Sequence, residues 1–188
     1  MRVIAGKYRS RRLQSLPGMD LRPTADRLRE TLFNVLTAGD PSKLEGTVWI
    51  DLYAGTGAVG IEAMSRGAGM VYFVDLSSRA VELVRKNLES LKLNAGFKVL
   101  KQDSVRALRE LEANGVQADF VFLDPPYRME EAYRKTLEAM SKSELLKAES
   151  IVIAEHSKKF DPAEAFGRLY RYRKLEQGDA ALSFYAIG

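Results

Sequence analysis

The 188-residue sequence contains no cysteine. That excludes disulfides, thiolate nucleophiles, zinc ribbons and cysteine-held iron–sulfur clusters. It has one histidine, His156. A histidine-rich metal site is therefore excluded, as is any mechanism that needs two histidines, and no metal is expected. No apolar run approaches the roughly 18 residues that span a bilayer, so no membrane partner is expected. Residues 1–12 lack the apolar stretch of a secretory signal. A chain without disulfides suits a reducing compartment, so a cytoplasmic location is expected. Proline, at 6 residues, and glycine, at 14, are too few for low-complexity disorder. Chemistry must come from carboxylates, hydroxyls, backbone groups or a borrowed cofactor.

What is present is an ordinary globular composition, 46% hydrophobic and 29% charged, in a length that suits one domain with a sizeable core. The net charge of +4 is unevenly spread. Residues 1–30 hold eight basic and three acidic side chains, and the remainder is close to neutral. Arg2, Lys7, Arg9, Arg11 and Arg12 all precede the first acid, Asp20. Such a run is either a solvated basic end or an arm that contacts phosphates.

Residues 2–14 read as a short hairpin turning near Gly6, and Pro17-Gly18 as a loop. Thr24 suits an N-cap, and Leu28, Leu32, Val35 and Leu36 share one face of a helix over 27–37. From Gly46 onward short apolar strands alternate with helices. Strands are expected over 48–52, 70–74, 97–100, 120–123 and 151–154, with helices at 57–66, 77–91, 105–113 and 130–140. Strands apolar on both faces argue for a parallel sheet covered by helices. The segments 168–175 and 181–187 alternate around Glu176-Gln177-Gly178-Asp179, the mark of an antiparallel hairpin. The expectation is an α/β, Rossmann-like, mostly parallel seven-stranded sheet with an antiparallel C-terminal hairpin and helices on both faces. Residues 1–40 form a small basic hairpin and helix extension on a single compact unit, 41–188.

The first chemical motif is Asp51-Leu52-Tyr53-Ala54-Gly55-Thr56-Gly57-Ala58-Val59-Gly60. A strand enters a glycine turn and a helix opens behind it. The spacing satisfies G-x-G-x-x-G, and Asp75 follows Gly55 by 20 residues, as in a dinucleotide fingerprint. A dinucleotide would place pyrophosphate at the helix N-terminus, where Asp51 opposes it. A ligand with an ammonium group suits Asp51 better, and S-adenosylmethionine is such a ligand. Asp75 would then accept from the ribose hydroxyls, and Asp103 from the adenine amino group. Three acids fall at the C-terminal ends of three successive strands, the edge where open α/β sheets bind ligands.

The second motif, Asp124-Pro125-Pro126-Tyr127, follows the fourth strand. Two prolines stiffen it and leave carbonyls free to accept. The amine of guanine or adenine is a poor nucleophile because its lone pair is delocalised. Asp124 and the Pro125 carbonyl can accept its two hydrogens and favour a pyramidal nitrogen, while Tyr127 stacks on the base. The base must be flipped out or unpaired to enter.

Arg2-Val3-Ile4-Ala5-Gly6-Lys7-Tyr8-Arg9, the run Leu21-Arg22-Pro23-Thr24-Ala25-Asp26-Arg27-Leu28-Arg29-Glu30-Thr31-Leu32-Phe33-Asn34, the glycine turn and the Asp-Pro-Pro-Tyr segment resemble one family. It is the bacterial 16S ribosomal RNA guanine-N2 methyltransferase family (the guanine-966 enzyme), within the class I methyltransferases. The resemblance covers essentially the whole chain, and no motif position departs from the pattern. It implies S-adenosylmethionine as methyl donor and a guanine of 16S rRNA as acceptor, within the small ribosomal subunit or its assembly intermediate. It implies that Asp51, Tyr53, Ala54, Gly55, Thr56, Gly57, Asp75, Leu76, Asp103 and Ser104 hold the cofactor. Asp124, Pro125, Pro126 and Tyr127 would hold the guanine. Arg22 and Thr24 would lie near cofactor or base, although a helix cap with a charged face explains them as well. With an RNA target implied, Arg2, Lys7, Arg9, Arg11 and Arg12 become phosphate contacts, which Arg168, Arg171, Arg173 and Lys174 would extend. A monomer is expected. His156 reads as structural.

Three alternatives remain at this point. An adenine-N6 methyltransferase would use the same motifs. A nicotinamide-dependent oxidoreductase would use the glycine fingerprint but leave Asp51 and Asp-Pro-Pro-Tyr without a role. A ribosome-assembly protein would bind RNA without catalysis. C5 methylation of a pyrimidine is excluded, because it needs a cysteine nucleophile.

Overall fold

A computed structural model describes residues 1–15 and 23–188, with side chains for all of these except residues 23–25. In chain order the elements are α1 (Pro23–Leu36), a 3-10 turn (Pro41–Leu44), β1 (Val48–Leu52), α2 (Ala58–Ser65), β2 (Met70–Asp75), α3 (Ser78–Ser90), β3 (Phe97–Lys101) and α4 (Ser104–Ala113). They continue with β4 (Ala118–Leu123), α5 (Glu130–Ser141), β5 (Leu146–Ser157), β6 (Ala165–Phe166), β7 (Leu169–Gln177) and β8 (Ala180–Ile187). One sheet runs β3-β2-β1-β4-β5-β8-β7-β6. Its first five strands are parallel, and β8, β7 and β6 are antiparallel.

The parallel strands are apolar on both faces because both faces are covered. Trp49, Phe73, Phe122 and Ile153 pack on one side with α1, α2 and α3. Ile50, Val74, Leu123 and Ala154 pack on the other with α4 and α5. Trp49 is fully buried and stacks between Phe33 of α1 and Phe120 of β4, with ring centroids 5.3 and 5.2 Å away. Through this stack α1 shares the core of the sheet. Among the described residues, no helix is long and apolar enough to cross a membrane.

Two expectations are corrected, the strand number and the start of the first helix, and one is met, the N-terminal hairpin. The sheet has eight strands, not seven. The extra strand, β6, pairs only two residues with β7 and is too short to leave a pattern. The basic N-terminal segment is the expected short hairpin: the Val3 N–H donates to the Arg11 carbonyl at 2.9 Å, the Leu13 N–H to the Met1 carbonyl at 3.1 Å, and the Arg9 N–H closes the turn on the Gly6 carbonyl at 3.2 Å. Arg2 and Arg12 pair antiparallel, and the tip of the hairpin bonds to α2. Gly6 sits at φ 79°, and a Cβ there would meet the Ser65 carbonyl oxygen at 1.8 Å. Only glycine allows this approach. Beside it, the Lys7 N–H donates to the Ser65 carbonyl at 2.7 Å and the Tyr8 N–H to Ser65 Oγ at 2.9 Å. Last, α1 begins at Pro23, so Thr24 lies inside its first turn and is not the N-cap. Proline is tolerated there because its missing N–H has no partner in a first turn.

Candidate active site

The chain leaves β1 for β2 and β3 on one side, then returns to place β4 on the other side of β1. This reversal opens a crevice between the two strand ends, the usual ligand site of open α/β sheets. Asp51 pairs with Phe122, and Leu52 with Leu123. The glycine turn and the Asp-Pro-Pro-Tyr segment, about 70 residues apart in sequence, therefore leave adjacent strands at the same edge. A cleft of about 1450 Å³ lies over that edge and is bordered by Asp51, Asp75, Asp103, Asp124 and Tyr127 together. It exceeds the 300–1,000 Å³ typical of one small ligand, leaving room for a cofactor beside a base.

Gly57 takes a φ of 75° at the N-cap of α2. A Cβ there would crowd Val84 at 3.1 Å and Phe73 at 3.3 Å. The turn thus needs glycine for its dihedral and for its packing. Asp51, 2% exposed, accepts the Gly60 N–H at 2.9 Å. Gly60 is in the first turn of α2, so this carboxyl stands where a dinucleotide would set its pyrophosphate. Burial pushes the Asp51 carboxyl up to about 8; the Gly60 bond opposes that rise and the charge of Asp75 adds to it. Its other oxygen takes no donor among the described residues and borders the cleft.

Asp75 accepts the Gly55 N–H at 2.9 Å and the Ser77 N–H at 2.8 Å, which ties the glycine turn to the start of α3. Asp103 caps α4: its Oδ1 accepts the Val105 and Arg106 N–H groups at 3.0 and 3.1 Å. Its Oδ2 accepts from no donor among the described residues. Leu76 is 69% exposed and offers the cleft an apolar wall. Tyr53, at a left-handed φ of 59°, shares a hydrogen bond of 3.0 Å with Thr136 of α5. Thr56 and Ser104 are buried at the cleft margin, and Ala54 is half-buried there.

On the β4 side, Asp124 is half-buried at the cleft floor and Tyr127 is 39% exposed. Burial holds the Asp124 carboxyl well above the usual range, and the charges of Glu155 and Asp51 push the same way. Pro125 is buried and Pro126 exposed. The single hydroxyl hydrogen of Tyr133 is shared between the carbonyls of Pro125, at 3.0 Å, and Glu155, at 2.9 Å. A carbonyl has two lone pairs, so Pro125 keeps one acceptor site. Glu155 accepts the Tyr127 hydroxyl at 3.3 Å; burial pushes its carboxyl up to about 7, against that hydrogen bond and the charge of Arg29.

Glu155, Tyr133 and Arg29 were not singled out in the sequence. The only sequence signal for Tyr133 is its hydroxyl on the core face of an amphipathic helix, where it must find a partner. Arg29, 5% exposed, borders the cleft from α1 and donates to the Arg2 carbonyl at 2.6 Å and to Asp26 at 3.1 Å.

The basic residues separate into two groups. Arg2, Lys7, Arg9, Arg11 and Arg12 are all exposed, and among the described residues none forms an ion pair. Arg11 donates to the Ser90 carbonyl at 3.0 Å. In the C-terminal group, by contrast, Arg168 bonds the carbonyls of Ser141 and Ser143, Arg171 pairs with Asp161 and Glu164, and Lys174 with Asp161 and Glu176. Only Arg173 of that group lacks such a partner among the described residues. Arg22 and the Thr24 side chain lie outside the described residues. His156 is fully buried, with Nδ1 2.9 Å from the Ser157 carbonyl and Nε2 2.9 Å from Ser183 Oγ. Burial lowers its pKa, as befits a neutral structural ring.

Comparison with known proteins agrees with this architecture. The family described as Conserved hypothetical protein 95 matches residues 1–186. A Bacillus subtilis protein named provisionally as the rRNA methyltransferase YlbH is 33% identical over 98% of both chains. Ribosomal RNA small subunit methyltransferase D of Haemophilus influenzae is 35% identical over 84% of this chain and 79% of its own. A solved Escherichia coli structure, provisionally titled methyltransferase yhhF, superposes with a TM-score of 0.79 at 28% identity, over 100% of this chain and 97% of that one. The fold is thus that of the class I methyltransferases, and the chain belongs to the Conserved hypothetical protein 95 family, which is the small-subunit rRNA methyltransferase family that its sequence motifs resemble.

Proposed function

We propose that this protein transfers a methyl group from S-adenosylmethionine to the exocyclic N2 amine of a guanine in 16S rRNA, within the small ribosomal subunit or its assembly intermediate. The observation that carries the proposal is the meeting of two motifs in one cleft. A glycine turn guarded by a buried carboxyl stands on β1, and Asp124-Pro125-Pro126-Tyr127 stands on the adjacent β4. Membership of the family points the same way.

The residues present fit S-adenosylmethionine. Asp51 offers a buried carboxyl oxygen with no protein donor among the described residues, which suits an ammonium group. Asp75 suits ribose hydroxyls, and Asp103 Oδ2 suits an adenine amine. Leu76 gives the ring an apolar wall, while Tyr53, Ala54, Gly55, Thr56, Gly57 and Ser104 shape the surrounding backbone. The Asp51 carboxyl, bonded to the first turn of α2, argues against a nicotinamide dinucleotide. When bound, S-adenosylmethionine supplies an electrophilic methyl group on a sulfonium.

The chain supplies orientation. Asp124 and the free lone pair of the Pro125 carbonyl accept the two N2 hydrogens, which turns the nitrogen lone pair out of the ring plane. Tyr133 fixes that carbonyl from behind. Tyr127 stacks on the base. The methylated amine is acidic enough to lose its proton without a strong base. Holding the reactants in line supplies much of the acceleration, up to about 7–11 kcal/mol in favourable cases. The exposed arginines and lysine of residues 2–12 contact phosphates and position the subunit without reading sequence.

The test is nucleoside mass spectrometry after incubating the protein with methyl-labelled S-adenosylmethionine and small subunits lacking the modification. Labelled N2-methylguanosine is expected. Asp124→Ala should reduce its rate by about 10²–10³, the usual cost of removing one oriented polar group at a reacting centre, and retain subunit binding. Labelled N6-methyladenosine in its place would overturn the guanine assignment, and no label at all would overturn the activity.

A further inference from the structure

The cleft holds a carboxyl for which the proposed reaction has no use. β4 and β5 pair Leu123 with Ala154, so Asp124, just past the end of β4, lies beside Glu155, which is still within β5. Ile153, two residues before Glu155, packs on the same face of the sheet as Trp49 and Phe122. Strand alternation turns Asp51 and Glu155 to that face as well. Both carboxyls, Asp124 and Glu155, border the cleft. Asp124 feels the charge of Glu155 and Glu155 that of Arg29, yet no hydrogen bond or ion pair from a cation reaches either among the described residues. The Glu155 backbone is tied to the Pro125 backbone through the shared Tyr133 hydroxyl. Its side chain is oriented by the Tyr127 hydroxyl.

Two fixed acceptors side by side call for a ligand edge with two donors side by side. The Watson–Crick edge of guanine presents N1–H next to the N2 amine. Adenine presents an N1 lone pair next to its amine, and a carboxylate facing that lone pair is repelled. We infer that Glu155 is the residue that selects guanine: its carboxylate accepts the N1 hydrogen while Asp124 accepts a hydrogen of N2. The inference rests on the guanine-N2 reading above and adds to it the group that distinguishes the two purines. A site built to bond a donor rejects an analogue that lacks it, because the site's own polar group is left unpaired.

The test compares small subunits reconstituted with guanosine or with 2-aminopurine at the target nucleotide. 2-Aminopurine retains the N2 amine but carries a lone pair at N1. Wild-type protein should prefer guanosine by about 100-fold in kcat/KM, the scale of one missing charge-assisted hydrogen bond. Glu155→Gln offers an amide hydrogen to that lone pair, so its preference should shrink to within about threefold. Glu155→Ala should lose the preference too, mainly through slower methylation of guanosine. Calorimetric binding of S-adenosylmethionine checks that each variant is folded. Variants that slow both substrates equally, leaving the ratio at its wild-type value, would overturn the selection role. A wild-type protein that makes no N2-methylguanosine would overturn the underlying reading, and the inference with it.

Discussion

The Ile4 backbone N–H donates to the Glu62 carboxylate at 2.8 Å, across 58 residues of sequence. Glu62 is fully buried in α2. Its other oxygen accepts the Ala5 N–H at 3.0 Å and Arg66 Nε at 2.8 Å, and Arg29 Nε stands 3.8 Å from the oxygen that holds Ile4. One buried carboxylate thus anchors the backbone of the basic arm, and two arginines offset its charge. The arm is held by its main chain, which leaves its basic side chains outside.

Glu62→Gln should release the arm. A glutamine keeps one acceptor, but its NH2 would face a backbone N–H. The cost is about 2–4 kcal/mol, the range for an unpaired buried donor beside a broken ion pair. In a domain of this size that lowers the melting temperature by roughly 5–10 °C. Amide exchange at Ile4 and Ala5 should accelerate, and trypsin should cut after Arg9, Arg11 or Arg12. Unchanged exchange at those two amides would mean the arm is held elsewhere.

Asn87 joins the arm to the glycine turn. Its Nδ2 donates to the carbonyls of Gln14 and Thr56, at 3.1 and 2.9 Å, while its Oδ1 accepts the Gln14 N–H at 2.7 Å. Every hydrogen-bonding group of this fully buried amide but one oxygen lone pair is in use. Asn87→Leu keeps the branched shape and leaves three backbone groups unpaired, at about 1–3 kcal/mol for each that water does not reach. Weaker binding of S-adenosylmethionine, several-fold or more, should accompany faster exchange of the Gln14 amide. Equilibrium dialysis and exchange on the same sample read the two effects. If only the exchange changes, Asn87 holds the arm without supporting the turn.

The acids of the cofactor side were legible in the sequence because each falls within two residues of the end of a short strand. Asp51, Asp75 and Asp103 stand out against Val48-Trp49-Ile50, Val71-Tyr72-Phe73 and Val99-Leu100. Glu155 borders the same cleft, but it sits inside a strand that runs on past it to Ser157, so no strand end marked it. Glu62, Asn87 and Tyr133 lie within helices as unexceptional members of an amphipathic pattern. Their partners are distant in sequence, and only the sheet order brings them together. Arg168, Arg171 and Lys174 show the opposite failure. Their charge was legible, but their pairing with carbonyls, Asp161 and Glu176 was not. The alternation of strand and helix carried the topology, whereas the pairing of polar side chains needed the fold.

The free cations of the arm should govern how salt affects the reaction. Lys7, Arg9 and Arg12 are exposed, with no ion pair among the described residues. Replacing all three with alanine should raise KM for small subunits and leave the affinity for S-adenosylmethionine unaltered. The slope of log KM against log salt should flatten by about 0.7–0.9 for each phosphate that the variant no longer neutralises. Steady-state kinetics across a salt series measures this. An unaltered slope would remove the arm from the RNA-binding surface.

Asp51 links stability and cofactor binding to pH in opposite directions. Burial pushes its carboxyl up to about 8, whereas an aspartate in the unfolded chain titrates near about 3.9. The folded, ligand-free protein therefore holds a proton that the unfolded chain releases. The stability tied to that proton is complete below about pH 4 and is lost as pH rises through about 8, by up to about 1.4 kcal/mol per pH unit. Asp51→Asn keeps an oxygen for the Gly60 N–H and removes the titration. Denaturant melts should show the variant gaining on the wild type from pH 5 to pH 8. An ammonium beside Asp51 selects the ionised form, so wild-type affinity for S-adenosylmethionine should rise from pH 6 toward pH 7.5, until the ligand's own amine, near about 7.7–8.0, loses its proton. The variant should bind weakly, with no such rise. Asp124→Asn, run in parallel, removes the other strongly raised aspartate from the comparison. Should Asp51→Asn melt with the wild-type pH slope, the proton resides elsewhere in the row of acids.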